Sequence, residues 1–260
     1  MCLILVSYET HAPYRLVVAA NRDEFHARPT RSAHWWDEAP DLLAGRDLES
    51  GGTWMGVTRS GRFAAVTNYS ERLEPPEDVR SRGEIVTGFL GSDASTESFL
   101  NGLSSDESRY RGFSLLAFDG SGLGFVSNRA PGVLVLEPGL YGLANALLDS
   151  NWPKVERGRR GLSEILSRPA RVEDHVSALL ELLADEQHIA SLDPPHSDGV
   201  EDSRQRFSPI FIRYPTYGTR ASTVLLLARD GSATFAEREW DASGRPLDLR
   251  TFRLQREDRQ

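Results

Sequence analysis

The chain has 260 residues, a formal net charge of -8, 39% apolar side chains and 26% charged ones. This is an ordinary globular composition that suits one large domain, and its acidity argues against a nucleic-acid partner, which would need a basic face. The longest apolar runs fall well short of the roughly 18 residues of a transmembrane segment, and a lone cysteine excludes an internal disulfide, so a cytoplasmic protein is expected. The basic residues are nearly all arginine. Lys154 is the only lysine, which is read as codon bias toward GC-rich DNA and given no functional weight.

Residues 2–8 and 14–21 are apolar, partly β-branched runs of strand length, joined by a loop that carries Pro13. Three later segments pair strand-like runs around Ser60-Gly61, Asp119-Gly120 and Asp230-Gly231. Glycine after Ser or Asp supplies the positive φ of a tight hairpin, so the sheets are expected to be antiparallel. Helices are predicted between the hairpins. SRGEIVTGFL is one, and STESFLNGL is a second with Ser95 as its N-cap. KVERGRRGLSEILSR is a third, weakened by Gly158 and Gly161. In VEDHVSALLELLAD, Val172, Val176, Leu179, Leu180 and Leu183 share one helical face, with His175 toward the polar side. Residues 186–206 lack periodicity and read as a loop and a candidate mobile lid. The tail after Arg253 is polar, and residues 1–260 show no internal repeat or boundary, so a single domain is expected.

The opening residues carry the chemistry. Cysteine at position 2 is small enough for Met1 to be removed by an aminopeptidase, leaving a thiol and a free α-amine on one residue. Their reference pKa values, about 8.5 and about 7.7–8.0, are matched closely enough for the amine to act as base toward the thiol. The competing reading is a small buried hydrophobe, the commonest fate of a free cysteine. The second feature is ANRDEFHARPT, where Asn21, Arg22, Asp23 and Glu24 form a polar cluster expected to end the second strand. Antiparallel pairing of the first two strands brings Cys2 beside that cluster. An acidic group there orients an α-ammonium, and a guanidinium favours a thiolate. The alternative is a polar turn with an exposed ion pair of little energetic weight.

The blocks MCLI, ANRDEFHARPT, AGRDLESGGTWMGV, GRFAAVTNY, YGLANALLDSNWPKV and YGTRASTVLLL occur in order over nearly the whole chain. In them the sequence resembles the NRDE family, also called the transport and Golgi organisation family. That family is in turn similar to the cysteine N-terminal-nucleophile hydrolases. The resemblance implies an α+β fold, a four-layer αββα sandwich of two antiparallel sheets, and cleavage of non-peptide amide bonds or acyl transfer. It implies Cys2 as nucleophile, Asp23 as the holder of the α-amine, and Asn68 and Asn145 as site asparagines that stabilise the oxyanion. The arginine those hydrolases place three residues before the aspartate is missing, since Ala20 stands there. Arg22 is the candidate substitute. Adjacent strand residues point to opposite faces, so Arg22 and Asp23 both reach Cys2 only if the strand ends or bulges there.

Substrate contacts are expected from Asn21 and Glu24 of the cluster, from Trp54 beside the glycines of GRDLESGGTW, and from Arg220. Arg220 could fork onto a carboxylate or phosphate, or be a surface arginine at a strand start. GRDLESGGTW lacks the lysine and spacing of a phosphate-binding P-loop. The six histidines show no metal-ligand spacing, and neither a metal nor a cofactor is expected. Two functions remain in competition. One is a hydrolase acting on an amide or acyl (thio)ester through Cys2. The other is a protein that binds acyl-CoA, lipid or haem in the same pocket without turnover, a reading that rests on what is associated with the family.

Overall fold

The structure, a computed structural model, describes residues 2–71, 79–104, 107–187 and 209–255. Six strands open the chain: β1 (Cys2–Tyr8), β2 (Tyr14–Phe25), β3 (Thr30–Trp36), β4 (Ala39–Asp47), β5 (Met55–Thr58) and β6 (Phe63–Asn68). Helices α1 (Gly83–Leu90) and α2 (Thr96–Ser104) follow, then β7 (Phe113–Phe118), β8 (Leu123–Ser127), β9 (Val133–Leu136) and β10 (Gly139–Leu143). Helices α3 (Pro153–Leu166) and α4 (Val172–Leu183) precede β11 (Tyr217–Ala228), β12 (Ala233–Trp240) and β13 (Pro246–Leu254).

The strands form two antiparallel sheets, ordered β10-β1-β2-β11-β12-β13 and β3-β4-β5-β6-β7-β8-β9. Strand alternation explains the layering. Ile4, Val6, Leu16, Val18 and Leu225 face Leu43, Val57, Phe63 and Leu116 across a core between the sheets. The intervening residues Leu3, Leu5, Val17, Ala19, Val224 and Leu226 face away and are covered by α3 and α4. On the other sheet, Ala64, Val66, Leu115 and Ala117 are covered by α1 and α2. Strands buried on both faces read as near-continuous apolar runs, as VLLL in β11 and FSLLAF in β7 do, with Ser114 satisfied by donating to the Ala146 carbonyl. The result is the αββα sandwich that the family resemblance implies.

The expected hairpins form with Gly61, Gly120 and Gly231 at φ of 82°, 95° and 87°. Ser95 caps α2 by accepting a hydrogen bond from the Ser98 amide at 3.2 Å. Gly158 and Gly161 do not mark a weak helix. A Cβ on Gly158 would lie 2.7 Å from a Leu5 methyl, and one on Gly161 2.6 Å from a Leu182 methyl, so the glycines let α3 press onto β1 and α4. His175 also differs from expectation. It is buried, paired with Tyr14 Oη at 3.0 Å and the Arg168 carbonyl at 3.1 Å, so its polarity is satisfied inside α4's packed face. The lid expectation for 186–206 falls almost wholly outside the described residues, as does most of the tail after Arg253.

Candidate active site

β1 and β2 pair with Cys2 opposite Arg22, so the predicted neighbourhood of the thiol and the NRDE cluster is present. The expected strand end is not. β2 continues through Asn21–Glu24 to Phe25, and the irregularity lies on the neighbouring strand, between Thr219 and Ala221 of β11. Arg22 and Asp23 therefore meet Cys2 from different sides. Arg22 shares the inter-sheet face with Cys2. Asp23 turns toward the helices, where Lys154 of α3 and Thr219 of β11 meet its carboxylate. Burial pushes the Cys2 thiol above its ordinary range, and the Asp23 charge adds to this. The Asp23 amide and Arg22 pull the other way without reversing it.

Asp23 is enclosed. Its Oδ1 accepts from Thr219 Oγ1 at 2.7 Å, and Lys154 Nζ lies 3.9 Å from its Oδ2, both of these charged side chains having no solvent exposure. Lys154, the chain's sole lysine, makes no hydrogen bond among the described residues and sits 5.5 Å from the centroid of the Trp152 ring. It stands in the first turn of α3, after Pro153 at the helix start, where a cation opposes the helix dipole. Burial pushes Lys154 downward and Asp23 upward in pKa, and each opposes the other's shift. Cys2 also interacts electrostatically with Lys154. Sequence reasoning passed over this residue, yet a signal was there: an arginine-using chain that retains one lysine needs something other than charge at that position. An ammonium on a flexible stem fits a closed pocket and can lose its proton, which a guanidinium cannot do.

Arg22 is held by Thr30 Oγ1 and Asp47 Oδ2, each at 3.3 Å, with Glu24 at 3.8 Å. Asp47 also takes Arg28 Nε at 2.6 Å and caps the following turn through the amides of Glu49 and Ser50. Burial raises the Asp47 carboxyl, but the Arg28 hydrogen bond and the turn amides outweigh it and hold the group below its ordinary range. Asn145, after β10, is buried with both ends of its amide used. Its Oδ1 accepts from the Cys2 backbone nitrogen at 2.8 Å, and its Nδ2 donates to the Asn68 carbonyl at 2.9 Å. Asn145 thus ties the Cys2 backbone nitrogen to the end of β6. Asn68 ends β6, exposed on the pocket wall.

The pocket in front of Cys2 has a volume of about 600 Å³. Glu24, Trp54 and Arg220 line it. The Arg220 Nη1 is occupied by the carbonyls of Phe25, His26 and Arg28 at 3.0–3.2 Å, so it braces the turn after β2. Asn21 is a correction. It faces α4, donates to the Leu183 and Ile210 carbonyls, accepts from Ser222 Oγ, and does not line the pocket. The glycines of GRDLESGGTW bring two backbones together: a Cβ on Gly52 would lie 2.7 Å from the Gly83 carbonyl carbon.

Two packed antiparallel sheets between helix layers, with a cysteine starting a central strand, define an N-terminal-nucleophile-hydrolase-like fold. A solved structure with this arrangement, the Caenorhabditis elegans N-acylethanolamine-hydrolyzing acid amidase ortholog, superposes with a TM-score of 0.52 at 11% identity, covering 86% of this chain and 92% of that one. That similarity establishes the fold. The chain belongs to the family described as Transport and Golgi organisation 2, which matches residues 1–242. It is 38% identical over 260 residues to the human Transport and Golgi organization protein 2 homolog, covering 92% of both chains. It is 29% identical over 264 residues to Transport and Golgi organization protein 2 of Drosophila melanogaster, covering 91% of both. Among the described residues, no helix is long and apolar enough to cross a membrane.

Proposed function

We propose that the protein is a cysteine N-terminal-nucleophile hydrolase or acyltransferase acting on a non-peptide amide or acyl (thio)ester. The observation that carries this reading is the bond from the Cys2 nitrogen to Asn145 Oδ1, on a cysteine that lines a large pocket. Once Met1 is gone, that nitrogen is an α-amine held by Asn145 and within the field of Asp23. It takes the thiol proton, and Arg22 favours the resulting thiolate. The thiolate attacks the acyl carbon. Asn68 stabilises the oxyanion, and such a donor contributes about 2.7–4 kcal/mol to the transition state. The bond to the leaving nitrogen, oxygen or sulfur breaks as the α-ammonium returns its proton. Water then cleaves the thioester, releasing the acid and the thiol.

The test uses protein made from its native start codon. Intact mass should show loss of Met1, and a short-chain p-nitrophenyl ester should leave an acyl adduct on Cys2. Cys2→Ala should abolish both adduct and turnover while keeping the melting temperature. A retained methionine, or full turnover by Cys2→Ala, would sink the mechanism. The second reading is binding of acyl-CoA, lipid or haem without turnover. The raised thiol favours it as long as Met1 stays in place, because the thiol then has no amine of its own.

A further inference from the structure

The charges that line the pocket do not balance. Its carboxylates are already engaged. Asp23 faces Lys154, Asp47 and Glu24 hold Arg22, and Asp47 and Glu49 hold Arg28. Glu239 accepts from Ser32 and faces Arg250, while Glu237 is buried with its Oε1 on the Ala33 amide at 2.6 Å. Arg46 and Arg80 find Glu38 and Glu84 outside the group. Among the described residues four lining arginines have no carboxylate of their own: Arg220, which braces the turn after β2, Arg31 on β3, and the neighbours Arg82 and Arg111. Arg82 and Arg111 stand close together. Arg82 Nη1 donates to the carbonyl of Gly112 at 3.1 Å, the residue after Arg111, and the two guanidiniums repel. Arg82 is also within the electrostatic field of Cys2. A pair of like charges, Arg82 half-buried and Arg111 exposed, on a protein of net charge -8, is an arrangement that an anion relieves.

We infer that Arg82 and Arg111 form an anion subsite, and that the compound handled in this pocket carries a phosphate or carboxylate group on the side away from Cys2. The inference rests on the reading of Cys2 as the reacting group and adds the class of substrate: an anionic acyl compound. The acyl carbon lies at Cys2, with its apolar part against Trp54 and Val66, and the anionic group lies between the two guanidiniums. Planar forked donors bind such oxyanions in a bidentate manner, which a single surface lysine cannot do.

Cys2 is the only thiol, so alkylation reports on this pocket alone. The thiolate displaces iodide from iodoacetate, an anion, or from neutral iodoacetamide, and the ratio of the two rates cancels any change in thiol pKa. Arg82→Gln/Arg111→Gln should lower the iodoacetate-to-iodoacetamide ratio about tenfold, the low end of the enrichment a charged cleft provides. Arg111→Gln alone, an exposed change that the fold tolerates, should give a smaller fall of the same sign. In the wild type, pyrophosphate should slow iodoacetate, and raising the salt concentration should shrink the ratio. Calorimetric titration of Cys2→Ala protein with pyrophosphate and with succinate separates phosphate from carboxylate and does not depend on the thiol. Saturable binding lost in the arginine variants supports the subsite even if Cys2 proves unreactive. An unchanged ratio together with no saturable binding of either anion overturns it, and leaves the hydrolase reading standing.

Discussion

Replacing Lys154 with methionine tests whether its buried charge is held for Asp23. The ammonium lies 3.9 Å from Asp23 Oδ2, and neither side chain touches solvent. Two unit charges at that distance attract by about 4 kcal/mol at an effective dielectric near 20. Desolvating each ion costs several kcal/mol, so the pair as a whole contributes little, but removing one partner strands the other at a cost of about 3–5 kcal/mol. Methionine fills most of the volume, so the loss should be mainly electrostatic. Asp23, already pushed up by burial, loses the largest of the influences that lower it and rises further. A carboxyl with a raised folded-state pKa loses stability as pH climbs from its unfolded value through its folded one. The deficit of Lys154→Met is therefore full near pH 8 and shrinks toward pH 3, below the unfolded carboxyl's reference value of about 3.9, where Asp23 is protonated in both states. On the acid side the wild type keeps a charged Lys154 with its counter-ion neutralised, so the two stability curves should converge or cross. Thermal denaturation near pH 8 should show a loss of about 3 kcal/mol, or about 6–12 °C at this chain length. Adding Asp23→Asn should recover much of it, since the two changes share one interaction. A Tm that does not move at pH 8, or that falls equally at pH 5 and pH 8, would mean that Lys154 is neutral packing and not a counter-ion.

Two further outcomes follow from the same geometry. Asn145→Ala removes acceptor and donor from the Cys2 nitrogen and the Asn68 carbonyl, and should cost about 2 kcal/mol by denaturant titration while lowering ester turnover far more than substrate affinity. An equal loss in Cys2→Ala protein and the native chain, with no change in turnover rate, would make Asn145 a purely structural clamp. Glu237→Gln keeps an acceptor for the Ala33 amide and removes a charge whose pKa is raised, first by burial. Its folded-state pKa lies above the unfolded value, so the wild type loses stability as pH rises through it, and the variant should gain Tm at pH 8 and gain nothing near pH 4. A drop at both pH values would show that the charged form is the one the site stabilises.

Much of the fold was legible because its signals are local. The turns at Gly61, Gly120 and Gly231 need positive φ, and the α4 stripe at Val172, Val176, Leu179, Leu180 and Leu183 needs a single apolar partner. Sequence reasoning fell short where a residue's meaning depends on distant chain. Gly158 and Gly161 look like helix breakers until Leu5 and Leu182 are seen to occupy the missing Cβ positions. Asn21–Glu24 look like a strand end, because four polar residues have no obvious place in a buried strand. They remain in β2 because partners from six other segments satisfy them: Thr30, Asp47, Lys154, Leu183, Ile210 and Thr219.

The same dependence explains what was and was not readable in the site. Pairing of β1 with β2 follows from two adjacent apolar runs and a short loop, so the Cys2–Arg22 neighbourhood could be derived from strand register alone. Alternation then forces a choice between Arg22 and Asp23 that the sequence leaves open. The fold resolves it by giving Cys2 a guanidinium on the inter-sheet face, while the carboxylate turns to the helices. A carboxylate buried there needs a cation from the helix layer, and α3 supplies it through the one lysine of the chain. Composition displayed that residue as an oddity, and only the packing of α3 on β1 and β2 gives the oddity a physical cause. A charge placed behind the strand, out of reach of the pocket, can bias the Cys2 end without blocking the approach of a substrate in front of it.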